Sequence, residues 1–156
     1  MKLSQSASYA VNAAVRLVEQ GGRTPLSCRR LADEGQMPER FLLQILRDLA
    51  KKGILHSARG GGGGFTLDRD PKEITLLDLV EAIDGPLTPS IPPMNTLPAD
   101  SAEMLRDAMR TITETTRRQL AAITLSDLVR SRSGGGRLQT AMLSDQSQSL
   151  LMAADL

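Results

Sequence analysis

Cysteine, histidine and aromatic residues are all scarce in this chain of 156 residues. The single cysteine, Cys28, excludes an intramolecular disulfide framework. Because there is also only one histidine, His56, one chain cannot assemble a Cys/His zinc site. Aromatic residues make up 2% of the chain and tryptophan is absent, which argues against binding of single-stranded nucleic acid on stacked aromatic side chains. We therefore expect no metal and no cofactor.

Long apolar runs are missing as well. No stretch approaches the roughly 20 apolar residues that a membrane span requires. Ser8, Asn12 and Arg16 interrupt the apolar core that a signal peptide would need near the N-terminus. We expect a soluble cytoplasmic protein that has no membrane partner and about one domain's length of sequence.

The formal net charge of +1 hides an uneven distribution of charged residues. Residues 1–67 carry ten basic and five acidic side chains, whereas residues 68–100 carry two basic and seven acidic ones. This asymmetry indicates that a polyanion contacts the first part of the chain and that the acidic middle lies away from it.

Hydrophobic periodicity in the first third of the chain predicts a helix-turn-helix pattern. Helices are predicted over about residues 4–20, 27–34 and 38–52, with Ser27 as the cap of the second helix. The breaks between them are Gly21-Gly22 and the tight turn Gly35-Gln36-Met37. A helix, a short helix, a three-residue turn and a third helix in this order are typical of DNA-binding helix-turn-helix units.

The helix over residues 38–52 combines an apolar stripe with a polar and cationic face. The stripe consists of Leu42, Ile45, Leu46 and Leu49. The opposite face is predicted to carry Arg40, Leu43, Gln44, Arg47 and Lys51. Such a face suits insertion into the major groove of DNA, although an ordinary solvated helix surface has the same composition.

A glycine-rich segment follows this helix. The residues on its two sides, 54–57 and 65–67, predict two short strands around a flexible tip that begins at Arg59. The five glycines at 60–64 match neither the dinucleotide-binding pattern nor the phosphate loop, since neither flank supplies the residues these motifs require. The segment is either a simple flexible hairpin or a wing whose tip enters the minor groove, and Arg59 favours the wing.

The rest of the chain predicts a capped helix over 75–84, a proline-rich connection and a long helix over about 101–122. A further short helix is predicted after Thr124. The resulting organisation is a DNA-binding domain over 1–85, a loop or linker over 86–100, a dimerisation region over 101–132 and a tail over 133–156.

The long helix carries apolar residues at alternating spacings of four and three. They are Leu105, Met109, Ile112, Leu120 and Ile123, with Thr116 between them. This spacing is nearly a heptad repeat and is typical of a helix that packs along a second long helix. We therefore expect a homodimer whose interface uses these residues.

Several short motifs occur in an order that resembles one known family. They are Lys2-Leu3-Ser4, Tyr9-Ala10-Val11, Leu42 with Gln44, Arg59-Gly60 with Gly62 to Phe65, Ile74-Thr75-Leu76 and the segment 81–87. Together they resemble the Rrf2 family of bacterial regulators over about residues 1–130. The resemblance implies a mainly α-helical, homodimeric winged helix-turn-helix transcription factor with a small β-wing, a long C-terminal dimerisation helix and a palindromic operator of double-stranded DNA.

The resemblance also implies roles for individual residues. Gln44 matches the glutamine on the family's recognition helix, and Arg59 matches the wing arginine that enters the minor groove. Arg40 occupies a base-facing position, and Leu43 falls where some members have a glutamate. The expected DNA-contacting set also includes Ser4, Arg47, Lys51, Gly60, Gly61 and Gly62.

The largest departure from the family concerns the iron–sulfur cluster. Cluster-binding members place three cysteines in the loop that corresponds to residues 86–100 and in the following helix, and this chain has none there. The chain therefore resembles a member without the cluster, whose effector, if it has one, is unknown. Cys28 is either a redox switch activated by Arg29 and Arg30 or a small, partly buried residue.

Two functions remain open at this stage. The first is a sequence-specific transcriptional regulator, most simply a repressor. The second is a winged-helix module that contacts other proteins and no longer reads DNA. An enzyme is disfavoured, because no nucleophile–base pair, metal cluster or phosphate loop is visible. The retained cations at Arg40, Arg47, Lys51 and Arg59 favour the regulator.

Overall fold

The computed structural model describes residues 3–58, 60, 62–89 and 97–133, with the last two residues given by their backbone alone. Within these ranges the chain forms six helices and two strands, in the order α1 (Gln5–Glu19), α2 (Cys28–Gly35), α3 (Glu39–Lys51), β1 (Leu55–Ala58), β2 (Gly64–Leu67), α4 (Leu76–Asp84), α5 (Ala99–Ala121) and α6 (Leu125–Ser133). The predicted mainly α-helical class with a small sheet and a long C-terminal helix is confirmed.

Side-chain caps fix the starts of several helices. The Ser27 hydroxyl accepts a hydrogen bond from the Arg30 amide at 3.2 Å, which confirms the predicted cap of α2. Thr75 and Asp78 form a reciprocal capping box at the start of α4. The break after α2 is closed by Gln36, which adopts a left-handed φ of 52° although it is not a glycine. Helix α5 begins two residues before the predicted Ser101, because Pro98 occupies the N-cap.

The core forms where α3 packs against α1. Leu42, Ile45, Leu46 and Leu49 of α3 are all buried, as the periodicity predicted. The buried side of α1 is built mainly from small residues, namely Ala7, Ala10, Ala13, Ala14 and the larger Leu17. The last four belong to the same buried cluster as the apolar stripe of α3, which is thereby removed from water.

The wing is a two-stranded antiparallel sheet that pairs Leu55 with Leu67 and Ala58 with Gly64. The segment before α2 adds a short third pairing, since the amide of Leu26 donates to the Phe65 carbonyl at 3.1 Å and the amide of Phe65 donates back at 2.9 Å. A Cβ atom on Gly64 would lie 2.4 Å from the Leu26 carbonyl oxygen. Glycine at 64 is therefore needed for this close approach of two backbones.

The C-terminal end of α5 is fixed to the winged unit. The Leu76 amide donates to the Ile123 carbonyl at 2.8 Å, and the Leu125 amide donates to the Ile74 carbonyl at 2.9 Å. Arg117 of α5 forms an ion pair with Glu81 of α4. The Glu81 carboxylate also accepts a hydrogen bond from the Leu87 amide at 2.8 Å, so one side chain joins α4, the following loop and α5.

The apolar residues of α5 do not share one environment. Leu120 is only 8% exposed because its own chain covers it, and Leu105 and Met109 are half-buried. Ile112 is 58% exposed, Ile123 is 37% exposed, and Met104, outside the predicted seam, is 77% exposed.

Among the helices that the structure describes, none has both the length and the apolar character needed to cross a bilayer.

Candidate nucleic-acid interface

The outward face of α3 is the centre of the candidate site. Arg40, Gln44, Arg47 and Lys51 are all exposed along this face, on the side of the helix opposite the buried leucines. Arg40 and Gln44 lie in the first turns of the helix and Lys51 is its last residue. The face therefore presents guanidinium, amide and ammonium groups, which hydrogen-bond to base edges and phosphates.

Leu43 lies between this face and the core. It is half-buried and packs against the buried cluster, so it lies at the edge of the predicted face rather than fully exposed on it, and its contact with DNA stays a prediction. Leu43 lies on the side of α3 next to the wing, where it helps to line an open groove between α3 and the two strands. The other residues of this groove are Arg47, Ala50, Lys51, Ser57, Ala58, Gly64 and Phe65.

Two of the described residues at the tip of the wing, Gly60 and Gly63, have a backbone geometry that requires glycine. Gly60 has a φ of 119°, which residues with side chains rarely adopt. The Gly63 amide donates to the Gly60 carbonyl at 2.9 Å, and a Cβ atom on Gly63 would lie 2.7 Å from the Ala58 carbonyl oxygen. Gly60 and Gly62 are exposed. Arg59 and Gly61, which belong to the predicted contact set, lie outside the described residues.

Two residues of α3 were missed by the sequence interpretation. The Asp48 carboxylate accepts hydrogen bonds from the Gln44 side-chain amide at 3.1 Å on each oxygen and from Lys51 Nζ at 3.0 Å. The hydrogen bond from Gln44, followed by that from Lys51, lowers the pKa of Asp48. Phe41 is 55% exposed. The spacing of Asp48 from Gln44 and Lys51 was a visible signal, since residues four and three apart meet on a helix.

Ser4 is engaged within the protein. Its hydroxyl oxygen accepts a hydrogen bond from the Ala7 amide at 2.9 Å, and its hydroxyl donates to Asp84 Oδ1 at 2.6 Å. The structure thus places Ser4 at the junction between the start of α1 and the end of α4, rather than on α3 or on the wing.

Cys28 does not have the environment of an activated thiolate. Burial raises the pKa of its thiol, the Glu39 carboxylate adds to this effect, and Arg47 offsets only part of it. The thiol donates to the Glu39 carbonyl oxygen at 3.6 Å. Arg29 and Arg30 instead pair with Asp33 and Glu34 on their own helix. Of the two alternatives for Cys28, the raised pKa does not support the redox switch activated by Arg29 and Arg30, and Cys28 is a small, half-buried residue at the start of α2.

The chain matches one family over most of its length. The Rrf2 family, described as iron-dependent transcriptional regulators, matches residues 3–131. A Rhodobacter capsulatus protein described as Rrf2-like is 36% identical over 90 residues, which make up 56% of this chain and 60% of that protein. The transcriptional regulator CymR of Bacillus subtilis is 30% identical over 89 residues, 57% of this chain and 64% of that protein. These curated relatives are thus matched over less than two thirds of their length.

Solved structures share the fold over a longer range. The structure of CymR, the global cysteine regulator of B. subtilis, has a TM-score of 0.69 at 25% identity and covers 83% of this chain and 97% of its own. The structure of T. potens IscR has a TM-score of 0.65 at 25% identity and covers 91% of this chain and 96% of its own. The predicted winged-helix fold with a long C-terminal helix is confirmed by this agreement.

The family description raises the question of an iron site, and the side chains of this chain do not fit one. Residues 86–100 contain neither cysteine nor histidine. Within the described residues no group of three histidine, cysteine, aspartate or glutamate side chains is placed to hold a metal. Cys28, the first residue of α2, donates its thiol to the Glu39 carbonyl oxygen at the start of α3. The chain belongs to the Rrf2 family of transcriptional regulators, as a member that lacks the cluster cysteines.

Proposed function

We propose that this protein is a homodimeric transcriptional repressor that binds a palindromic operator of double-stranded DNA. The observation that carries the proposal is the exposed face of α3, on which Arg40, Gln44, Arg47 and Lys51 lie beside a glycine wing. A helix with such a face fits the major groove, and a narrow glycine tip beside it fits the adjacent minor groove.

Residues at different positions along α3 contact different parts of the duplex in this proposal, either base edges or phosphates. Arg40 and Gln44 lie in the N-terminal half of the helix, which is the part of a recognition helix that meets base edges. Each such contact contributes about 1–3 kcal/mol of discrimination. Arg47 and Lys51 lie further along, at the groove toward the wing, where contacts with phosphates give affinity without sequence preference.

The wing supplies the second contact in this proposal. Glycine at 60–62 permits the backbone to approach the duplex closely, and Arg59 at the edge of the tip reads the width of the minor groove. Residues 1–85 are thus the DNA-binding part of the chain. An effector, if one exists, acts without an iron–sulfur cluster.

Helix α5 supplies the dimer contact in this proposal. Met104 and Ile112 are large apolar side chains that lie exposed on this helix, and Ile123 follows its end. A second copy covers them and removes an apolar patch from water, with the half-buried Leu105 and Met109 at its edge. Leu120 is excluded from the interface, since its own chain already covers it. Two-fold symmetry of the dimer then requires a palindromic site.

The test is selection of bound duplexes from a random library by the purified full chain. A recovered palindrome is the expected result, and Gln44→Ala should lose discrimination at particular positions of it. Lys51→Ala should weaken binding to all sequences and reduce the salt slope by about 0.9. Lys72→Ala is the matched control, because Lys72 is exposed in the acidic middle of the chain. If no sequence is enriched, the protein-interaction module becomes the better hypothesis.

A further inference from the structure

Asp48 is an acidic side chain on the flank of the face proposed to meet DNA. A carboxylate beside phosphates is repelled by them, so its position on α3 is unfavourable for binding unless it has another effect. Lys51 Nζ lies 3.0 Å from Asp48 Oδ1, so the ammonium offsets part of the charge of the carboxylate. What distinguishes Asp48 from an ordinary surface acid is its second partner, Gln44.

Both oxygens of Asp48 accept a hydrogen bond from the Gln44 side-chain nitrogen, each at 3.1 Å. An ionised carboxylate can only accept hydrogen bonds, so it selects the orientation in which the amide nitrogen of Gln44 points toward it. The carbonyl oxygen of the same amide then points away from Asp48. One N–H of Gln44 is thereby occupied, whereas its carbonyl oxygen is left to accept a hydrogen bond from a partner.

We propose that Asp48 is a positioning residue that turns the Gln44 carbonyl oxygen toward the operator. This inference rests on the proposed function. In the major groove, adenine and cytosine present an amino donor, whereas guanine and thymine present acceptors at the corresponding positions. The operator should therefore carry adenine or cytosine on the contacted strand where Gln44 reads it.

The experiment first locates the operator position at which Gln44→Ala loses discrimination. Affinities for duplexes with each of the four base pairs there are then measured for the wild type, Asp48→Asn, Gln44→Ala and the double variant. The wild type should prefer adenine or cytosine on the contacted strand by about fivefold or more. Asp48→Asn should reduce this ratio to within about twofold, because its amide either donates or accepts and no longer selects one orientation of Gln44. Adding Asp48→Asn to Gln44→Ala should change the ratio no further.

Loss of the negative charge of Asp48 changes the overall affinity, and this effect is measured separately from the base-pair ratio. Asp48→Asn should also tighten binding to every duplex, including a scrambled one, because repulsion of phosphates is removed. Asp33→Asn is the charge-matched control, since Asp33 is an exposed aspartate on α2 that pairs with Arg29. It should leave the base-pair ratio unchanged. Asp48→Glu retains two acceptor oxygens and should restore part of the preference.

The outcomes separate this inference from the function on which it rests. If the wild type prefers guanine or thymine at the Gln44 position, or if Asp48→Asn keeps the wild-type ratio, the positioning role is overturned and the repressor function stands. If the wild type enriches no sequence, both are overturned. Thermal melting of each variant checks that a lost ratio does not come from unfolding. We expect unchanged melting, because Asp48 lies outside the buried stripe of α3.

Discussion

Helix α3 and helix α5 are both amphipathic, but they use their apolar residues differently. Every member of the apolar stripe of α3 is buried inside its own chain, and the opposite face is polar. On α5 the apolar residues are divided, because Leu120 is buried while Met104 and Ile112 point outward. The apolar side of α3 is thus fully covered within one chain, and its exposed polar face suits a polar ligand. The apolar side of α5 is only partly covered within one chain, and its exposed apolar residues suit an apolar partner.

Ile112→Asp should have the largest effect and should act on association rather than on folding. In a two-fold dimer the change introduces two unpaired charges into the interface, each costing about 3–5 kcal/mol. We expect monomers by light scattering at tens of micromolar and weak operator binding. Ala121→Asp adds the same charge on the opposite side of α5 and should leave the dimer intact. A wild-type chain that is itself monomeric at this concentration contradicts the comparison.

Leu46→Ala should have the next largest effect and should act on folding. Leu46 is fully buried in the α3 stripe, and truncation of such a leucine lowers the free energy of unfolding by about 2–5 kcal/mol. Urea denaturation measures this loss. Arg47→Ala, the exposed neighbour on the same helix, should change the free energy of unfolding by less than about 0.5 kcal/mol. Equal losses for the two variants would mean that α3 is not divided into a buried and a free face.

The contrast between the two helices also shows what the sequence can predict. Hydrophobic spacing gives the angle of a side chain around the helix axis, and this was enough to predict the α3 stripe. The Ser27 and Thr75 caps followed from residue type at the helix starts. Spacing does not show which neighbouring element, if any, covers the side chains on a given side of the helix. It therefore grouped Leu120 with Ile112, although α5 turns the first toward its own chain and the second outward.

The candidate site shows the same limit at the level of side chains. The exposed positions of Arg40, Gln44, Arg47 and Lys51 followed from the angle around α3. The half-burial of Leu43 depends on its packing against the buried cluster, whose other members come from elsewhere in the chain. The raised pKa of Cys28 depends on burial of the start of α2 and on the Glu39 carboxylate of α3, which neighbouring arginines in the sequence do not reveal.

Arg117→Met should have a smaller effect, because it tests the attachment of α5 and not its surface. The change removes the contacts of Arg117 with Glu81 and with the Leu87 carbonyl. Arg117 is partly exposed, so screening by water limits the expected loss in the free energy of unfolding to about 1 kcal/mol. Hydrogen exchange at the Leu87 amide should also become faster. Arg118→Met, at an exposed neighbouring position, should change neither quantity.

Acid should produce the smallest effect, through a carboxylate at the end of the α5 attachment. The Thr124 hydroxyl donates to Asp127 at 2.7 Å and, with the Thr124 amide, lowers the pKa of this aspartate. A lowered folded-state pKa gives stability that is complete above the unfolded value of about 3.9 and is lost as pH falls through the folded value. The free energy of unfolding should not respond to this group between pH 7 and 5. Asp127→Asn should make its decline below about pH 4 shallower in acid titrations monitored by circular dichroism.

The backbone pairing of Leu26 with Phe65 has a consequence for how strictly an operator must be spaced. It joins β2 to the residue before the α2 cap, so the wing and the helix-turn-helix share backbone hydrogen bonds at one point. Successive base pairs are about 3.4 Å apart along each strand. A rigid reader cannot stretch by that amount, so one base pair inserted between the major-groove and minor-groove contacts of a half-site would have to be absorbed by the duplex. Under the proposed function, this link between the wing and the helix-turn-helix predicts that the major and minor grooves of a half-site are read at a fixed spacing.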